Sequence, residues 1–520
     1  MSTETASADQ QGRQISCLAD PATHGGAEVT RIETHGALLF LAGERAYKLK
    51  RAVRYSFMDF STPDKRRAAC EAEVRLNRLT APAIYLGTAG LFQGGAGVRL
   101  GPVGAEADAE AGESELDRVV VMRRFDPDAT LDQVATREPL APALIDHLAD
   151  AIVEMHGAAP ERRGERAAAE VRRVADGTLV SLEEAGETLG QDAVAALRRD
   201  NAAAIDRLAG LIDRRSETGF VRRCHGDLHL RNVALIDGDP VIFDALEFDE
   251  AMATIDVMHD LAFLLMDLDF RGMRGLAGRA LDRWLDATGD EAGLALLALF
   301  LSMRAGVRAK VQRLAGDLAE DPGPLHDEAR AYLRQALGYL APPPACLIAV
   351  GGFSGSGKST LARGLAPLVG PAPGARVLRS DVIRKRQAGV MPETRLPPGA
   401  YSVAAGQAVY REMHTRAATA LAAGHAVIVD AVNAKTEERA TLRGIAETSG
   451  VAFHGFWLEA PHGLMAARIE ARRGDASDAT PQVLEHQMGH ATGEIDWHRL
   501  DAVDGADAVL AAARKRLSPA

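Results

Sequence analysis

Two clusters in this chain have the residue types and spacing to work on a phosphate. The first is Gly352-Phe353-Ser354-Gly355-Ser356-Gly357-Lys358-Ser359-Thr360, a match to G-x-x-x-x-G-K-[ST]. Glycines at this spacing let backbone N–H groups converge on phosphate oxygens without Cβ clashes. A helix starting at the end of the loop adds a favourable dipole. Lys358 can reach the β and γ phosphates of ATP and Ser359 can ligate Mg²⁺. The lysine is informative because only eight of the 60 basic residues are Lys. Downstream, Ser380-Asp381 closes a strand and Arg384 follows one turn on. Asp381 is placed to accept a proton from an acceptor hydroxyl, and Arg384 to grip an anionic group of the acceptor. HAVIVDA ends in Asp430, a carboxylate for the magnesium shell or the acceptor side. LMAARIEARRGDASDAT carries Arg468, Arg472 and Arg473 towards a polar loop. Such a segment can bring arginine over a transferring phosphate.

The second cluster is His225-Gly226-Asp227-Leu228-His229-Leu230-Arg231-Asn232, followed after a Gly-Asp-Pro turn by Val241-Ile242-Phe243-Asp244. Asp227 can orient and deprotonate a hydroxyl. Asn232 and Asp244 offer hard oxygen ligands for the Mg²⁺ of ATP. The phosphate-binding lysine has two candidates, Lys48 and Lys50, which share one strand face. Their carboxylate partner is Glu73, on the helix that follows. His225, His229 and His156 read as hydrogen-bonded packing residues. Glu247 and Asp249 add negative charge beside the metal strand, which suits either solvated loop acids or a cationic acceptor.

Elements must hold these groups. From Glu28 the pattern is a β meander with a His35-Gly36 turn, then a helix from Pro63 to about Leu79 and a hairpin over 84–103. Residues 106–117 hold six acidic residues and no basic one, read as a solvated loop; 117–125 is a strand. Residues 139–220 and 251–340 are helical in texture, with a turn-rich β stretch between. Pro342-Pro343-Pro344 cannot continue a helix. After them, apolar strands at 346–352, 375–380, 425–431 and 451–459 alternate with helices, which predicts a parallel α/β sheet. The reading is a loose tail over 1–25, an α+β domain over 26–338, a Pro-rich linker over 339–345 and an α/β domain over 346–517.

With 47% hydrophobic and 25% charged residues, the composition is that of a globular protein. The net charge of −12 excludes a global basic field for nucleic acid or anionic lipid. From residue 345 on, however, 20 basic residues meet 17 acidic ones. Cys17, Cys70, Cys224 and Cys346 show no metal spacing and read as reduced thiols. No secretory leader and no long uncharged apolar run is visible, so the expectation is a cytoplasmic protein without a membrane partner.

HGDLHLRN, IFDALEFDE and DVMHDLAFLLMDL resemble the aminoglycoside phosphotransferase and choline kinase family over roughly residues 28–335. That resemblance implies a protein-kinase-like α+β fold, Asp227 as catalytic aspartate, Asn232 and Asp244 as metal ligands, and Asp256 and Asp260 as supports of the loop. GGFSGSGKST, SDVIR, VIVDA and ARIEARRGDASDA resemble P-loop kinases of the gluconate kinase, zeta toxin and polynucleotide kinase type. There the Asp of S-D-x-x-R commonly acts on the acceptor hydroxyl, which implies that role for Asp381. The order of the two, together with KLKRAVRYSFMDFSTPDKRRAACEAEVRLNRLTAP, is similar to bacterial bifunctional aminoglycoside phosphotransferase/ATP-binding proteins. The resemblance implies ATP and Mg²⁺ as cofactors and transfer of the γ-phosphoryl group to a small-molecule hydroxyl at two sites. The alternative is that only the C-terminal domain is catalytic, as a small-molecule kinase, nucleic-acid end kinase or ATPase switch, with a regulatory N-terminal module. The low aromatic content weighs against nucleic acid.

Overall fold

The computed structural model describes residues 11–517 apart from 35, 56–57, 96, 105–108, 111, 165, 473 and 490. The first ten residues of the expected tail, His35 of the expected turn and Arg473 of the expected lid lie outside the described residues. The chain divides into two compact units: 1–163 with 215–260, and 164–214 with 261–520.

The first unit is built on a six-stranded antiparallel sheet. Its spatial order is Val29–Glu33, Ala37–Ala42, Arg45–Lys50, Ser114–Arg123, Tyr85–Gly94, Gly97–Leu100. Strand residues alternate between faces. Val119 and Val121 therefore join one core with Leu38, Phe40 and Leu49. Val120 and Met122 join another with Cys70 and Val74 of the helix Pro63–Asn77. That helix starts as its sequence dictates, with Pro63 in its first turn and the Thr62 hydroxyl accepting the Lys65 N–H.

Three expectations need correction here. The 1–25 segment is not a loose tail beyond residue 10. Gly12–Ala19 is a helix whose Leu18 is 0% exposed in the first core, because a sheet with two apolar faces needs a cover on each. The acidic run is not wholly solvated either. Asp117 is buried on the strand Ser114–Arg123, paired to Arg66 at 2.8 Å and bonded by Gln11 Nε2 at 2.8 Å. The hairpin Val233–Ile236/Asp239–Ile242 turns at Asp237-Gly238, both at positive φ, rather than at Gly-Asp-Pro. That pair is the natural two-residue turn for a right-twisted hairpin.

The second unit holds a five-stranded parallel sheet in the order Arg376–Arg379, Val427–Asp430, Cys346–Gly351, Ala452–Glu459, His498–Asp501. Leu347, Ile348, Ala349 and Val350 are all fully buried, as befits a central parallel strand covered on both faces. The fifth strand has no apolar signature, since only Leu500 of its four residues is buried. The helices Arg274–Thr288 and Leu294–Gly316 also belong to this unit, so the compact partition does not follow the expected linker at 339–345. The physical reason is Arg376. Its guanidinium is 0% exposed and is held by Asp282 at 3.1 Å, by Asp286 and by Glu291 at 3.3 Å. Arg416 reaches the same Glu291 at 2.9 Å. Among the described residues one helical stretch, Glu291–Gly316, is long and apolar enough to cross a membrane, and it is mostly buried within the protein.

Candidate functional site

In the first unit the strand Arg45–Lys50 and the helix Pro63–Asn77 bring Lys48 and Glu73 together, Nζ to Oε1 at 2.9 Å. Lys48 also reaches Asp244 at 2.8 Å. Lys50 pairs with the other Glu73 oxygen and with Glu247. The two lysines therefore grip one carboxylate, and of the two Lys48 also joins it to Asp244. Burial would raise the carboxyls of Glu73 and Asp244, but the ammonium groups outweigh it and hold both below the usual range. Burial instead wins at Glu247, whose carboxyl is pushed up. Glu247 is thus a buried partner of Lys50, which corrects the reading of it as a solvated acid or a feature for a cationic acceptor. Asp244 sits at φ +63, and its N–H donates to the Tyr85 hydroxyl at 3.2 Å. Asn77 locks the next residue by accepting the Ala245 N–H at 2.7 Å.

The loop carrying Asp227 is fixed from below. Asp260, fully buried, accepts the N–H groups of His225 at 3.2 Å and Gly226 at 2.8 Å. His156 bonds the same carboxylate at 3.1 Å. His156, Cys224 and Asp260 lie close enough to hold a metal ion. The Asp260 oxygens, however, are already engaged by the loop. His225 bonds the Phe243 carbonyl at 2.9 Å and so ties the loop to the segment that carries Asp244. Asn232 donates to Asp227 at 2.9 Å and His229 stands 3.4 Å from it. The Asp227 side chain remains 39% exposed, open to an acceptor. Asp256 differs from Asp260: it forms a two-pronged pair with Arg215 at 2.6 and 2.9 Å, away from the loop amides.

In the second unit the strand Cys346–Gly351 runs into the glycine loop and the helix Lys358–Leu365. Gly352, Gly355 and Gly357 all have positive φ. A Cβ at Gly355 would lie 2.4 Å from the Met465 carbonyl oxygen. The cradle is therefore open only to glycine. Lys358 donates to the Phe353 carbonyl at 2.9 Å, and burial pulls its ammonium below the ordinary lysine value. Ser359 Oγ donates to Asp430 at 2.5 Å. Asp430 thus meets the serine that the sequence offers for Mg²⁺, and it lines the same cavity as Asp381 and Arg384. Arg379 links Asp430 at 3.3 Å to Asp475 at 3.0 Å.

Asp381 lines the same cavity as Lys358, Ser359, Arg384, Asp430 and Arg472. Burial pushes its carboxyl above the usual range, against the pull of Arg379 and the Ser477 hydroxyl. Arg384 donates to the Ala400 carbonyl at 2.9 Å and lies 4.9 Å over the Tyr401 ring. Asp478 accepts from Tyr401 at 2.5 Å and from Leu396 N–H at 3.0 Å. A second cavity behind the loop is lined by Ser356, Thr360, Arg468 and Gly505. Arg468 is tied there to the Ala502 carbonyl at 2.8 Å.

The family model described as "Phosphotransferase enzyme family" matches residues 44–300, and that described as "AAA domain" matches 347–493. Uncharacterized proteins of Mycobacterium tuberculosis (strain ATCC 25618 / H37Rv) and Mycobacterium bovis are 33% identical over 480 residues, covering 90% of this chain and 91% of theirs. The chain belongs to their family. It joins a phosphotransferase domain to a P-loop kinase-like domain and is an enzyme that transfers phosphate. Among solved structures, a choline/ethanolamine kinase family protein from Mesorhizobium loti is 16% identical (TM-score 0.37; 64% of this chain, 98% of that one). A gluconokinase from Sinorhizobium meliloti 1021 is 22% identical (TM-score 0.24; 34% and 93%).

Several residues of this family member escaped sequence reasoning. Asn77, Arg379, Tyr401, Asp475 and Asp478 act through contacts distant in sequence. Lys385 could have been found: in an arginine-rich chain it is one of eight lysines, and it is buried against Asp478.

Proposed function

We propose that the chain is a Mg-ATP phosphotransferase with two sites, each moving the γ-phosphoryl group of ATP to a hydroxyl of a small molecule. The observation that carries the reading is the repeated division of labour: in each unit a lysine, a set of hard oxygen donors and a separate aspartate line one site. Lys48 and Lys358 bind phosphate. The donor sets fit magnesium, with Asn232 and Asp244 in one unit and Ser359 with Asp430 in the other. When bound, the ion neutralises phosphate charge. Asp227 and Asp381 orient the acceptor hydroxyl and take its proton as the oxygen–phosphorus bond forms and ADP leaves. Positioning and charge neutralisation supply most of the rate. Arg384 beside Tyr401 supports an acceptor with an anionic group in the second site. Four free cysteines fit action in the reducing cytoplasm.

The test follows ATP turnover in a metabolite extract with Lys358→Ala and Asp227→Ala. Each is expected to abolish one labelled product and spare the other. If Asp227→Ala changes no product while Lys358→Ala removes them all, the first unit is a regulatory module. If ADP and free phosphate are the only products whatever the acceptor, the second unit is an ATPase switch.

A further inference from the structure

The Ser354 N–H, the leading amide of the phosphate loop, donates to Gln487 Oε1 at 2.9 Å. Gln487 comes from the helix Pro481–Met488, far along the chain, and lines the same cavity as Ser354, Lys358, Asp381 and Arg472. A loop amide of this kind is suited to a phosphate oxygen. The side chain that holds it has a carbonyl that accepts and, on the same carbon, an amino group that donates. A phosphate oxygen only accepts. A terminal phosphate arriving at the loop competes for the Ser354 N–H and at the same time offers an acceptor to the Gln487 amino group.

The helix that bears Gln487 is also mechanically tied to the loop and the lid. Leu484, fully buried, clusters with Met465 and Ile469 of the helix His462–Ala471, and Phe353 of the loop packs against them. Arg472 directly follows that helix. A change at Gln487 therefore reaches the loop through Phe353 and the lid arginine through Met465 and Ile469.

We propose that Gln487 is the γ-phosphate sensor of the second unit: it exchanges the Ser354 amide for the terminal phosphate and so couples ATP, but not ADP, to the lid. The proposal rests on the reading of this loop as an ATP site. All three tryptophans, Trp284, Trp457 and Trp497, belong to the second unit, and Trp457 is in edge contact with Phe353 at 5.7 Å. Tryptophan emission of the full chain thus reports this site. The experiment titrates wild type, Gln487→Glu and Gln487→Leu with magnesium plus ADP or β,γ-imido-ATP. A glutamate still accepts the Ser354 N–H but repels a γ-phosphate. Gln487→Glu is therefore expected to weaken the ATP analogue about tenfold or more while leaving ADP within about twofold. Gln487→Leu is expected to erase the preference for the analogue over ADP. If Gln487→Glu binds both nucleotides as wild type does, or weakens both alike, Gln487 is only a structural cap and the proposal is overturned. Should Gln487→Leu fail to fold, the glutamate variant decides alone. A wild type that binds neither nucleotide defeats the reading of the loop itself, a result separate from either variant's.

Discussion

At the scale of single residues, Asp244 and Asp381 respond to burial in opposite ways. Lys48 keeps Asp244 low, so it stays ionised and fit for metal. Burial lifts Asp381, so it sits nearer the pH at which a base works best. In the proposed role of Asp381 as base, its ionised form is the active one. Raising its pKa therefore moves the acid limb of the rate profile upward, and turnover is lost as pH falls through that raised value. A pH–rate profile of the second site in the Asp227→Ala background is expected to show this limb above the ordinary carboxylate range. Asp381→Asn should remove the limb and lower turnover about 10²- to 10⁴-fold. An acid limb at the ordinary aspartate value would argue against Asp381 as the base. Spacing alone put Lys48 and Lys50 on one face; it could not say which meets the metal aspartate. That depends on Asp244, whose side chain arrives from almost 200 residues away.

At the scale of elements, the apolar strands and their helices were legible because burial on two faces writes itself as alternation or as unbroken apolar runs. The fifth parallel strand, His498–Asp501, was not, because an edge strand with one buried residue carries no such pattern. Nor was the helix Gly12–Ala19. It is short, with only Gln14 and Leu18 buried, and its value lies in Leu18, which closes one face of the first sheet. Leu18→Ala is expected to cost about 2–5 kcal/mol. Native-state hydrogen exchange in the strands Arg45–Lys50 and Ser114–Arg123 measures it, as faster exchange through global opening. Unchanged protection in those strands would return the segment to the status of a dispensable tail.

At the scale of the whole molecule, the family matches end and begin on either side of Pro342-Pro343-Pro344, whereas the compact units do not divide there. Arg376 explains why. A buried guanidinium with three acidic partners on the stretch 282–291 ties those helices to the parallel sheet. Arg376→Met removes the cation shared by Asp282, Asp286 and Glu291, leaving only Arg416 near the last two, and is expected to destabilise the second unit by about 3–5 kcal/mol. Urea unfolding followed by tryptophan emission reads this unit specifically, and an unmoved midpoint would show that Arg376 does not bind the helices to the sheet. By itself the sequence determined the candidate chemistry: the glycine loop with Lys358 and the loop from Asp227 to Asn232 are local strings, and a phosphate-binding glycine loop demands its residues within a few positions of one another. Only the tertiary structure decided which lysine meets Asp244, that Asp430 faces Ser359, that Glu247 is buried, and that the Ser354 amide meets Gln487. Each of those is a contact between residues tens to hundreds of positions apart, set by sheet order and helix packing rather than by any pattern along the chain.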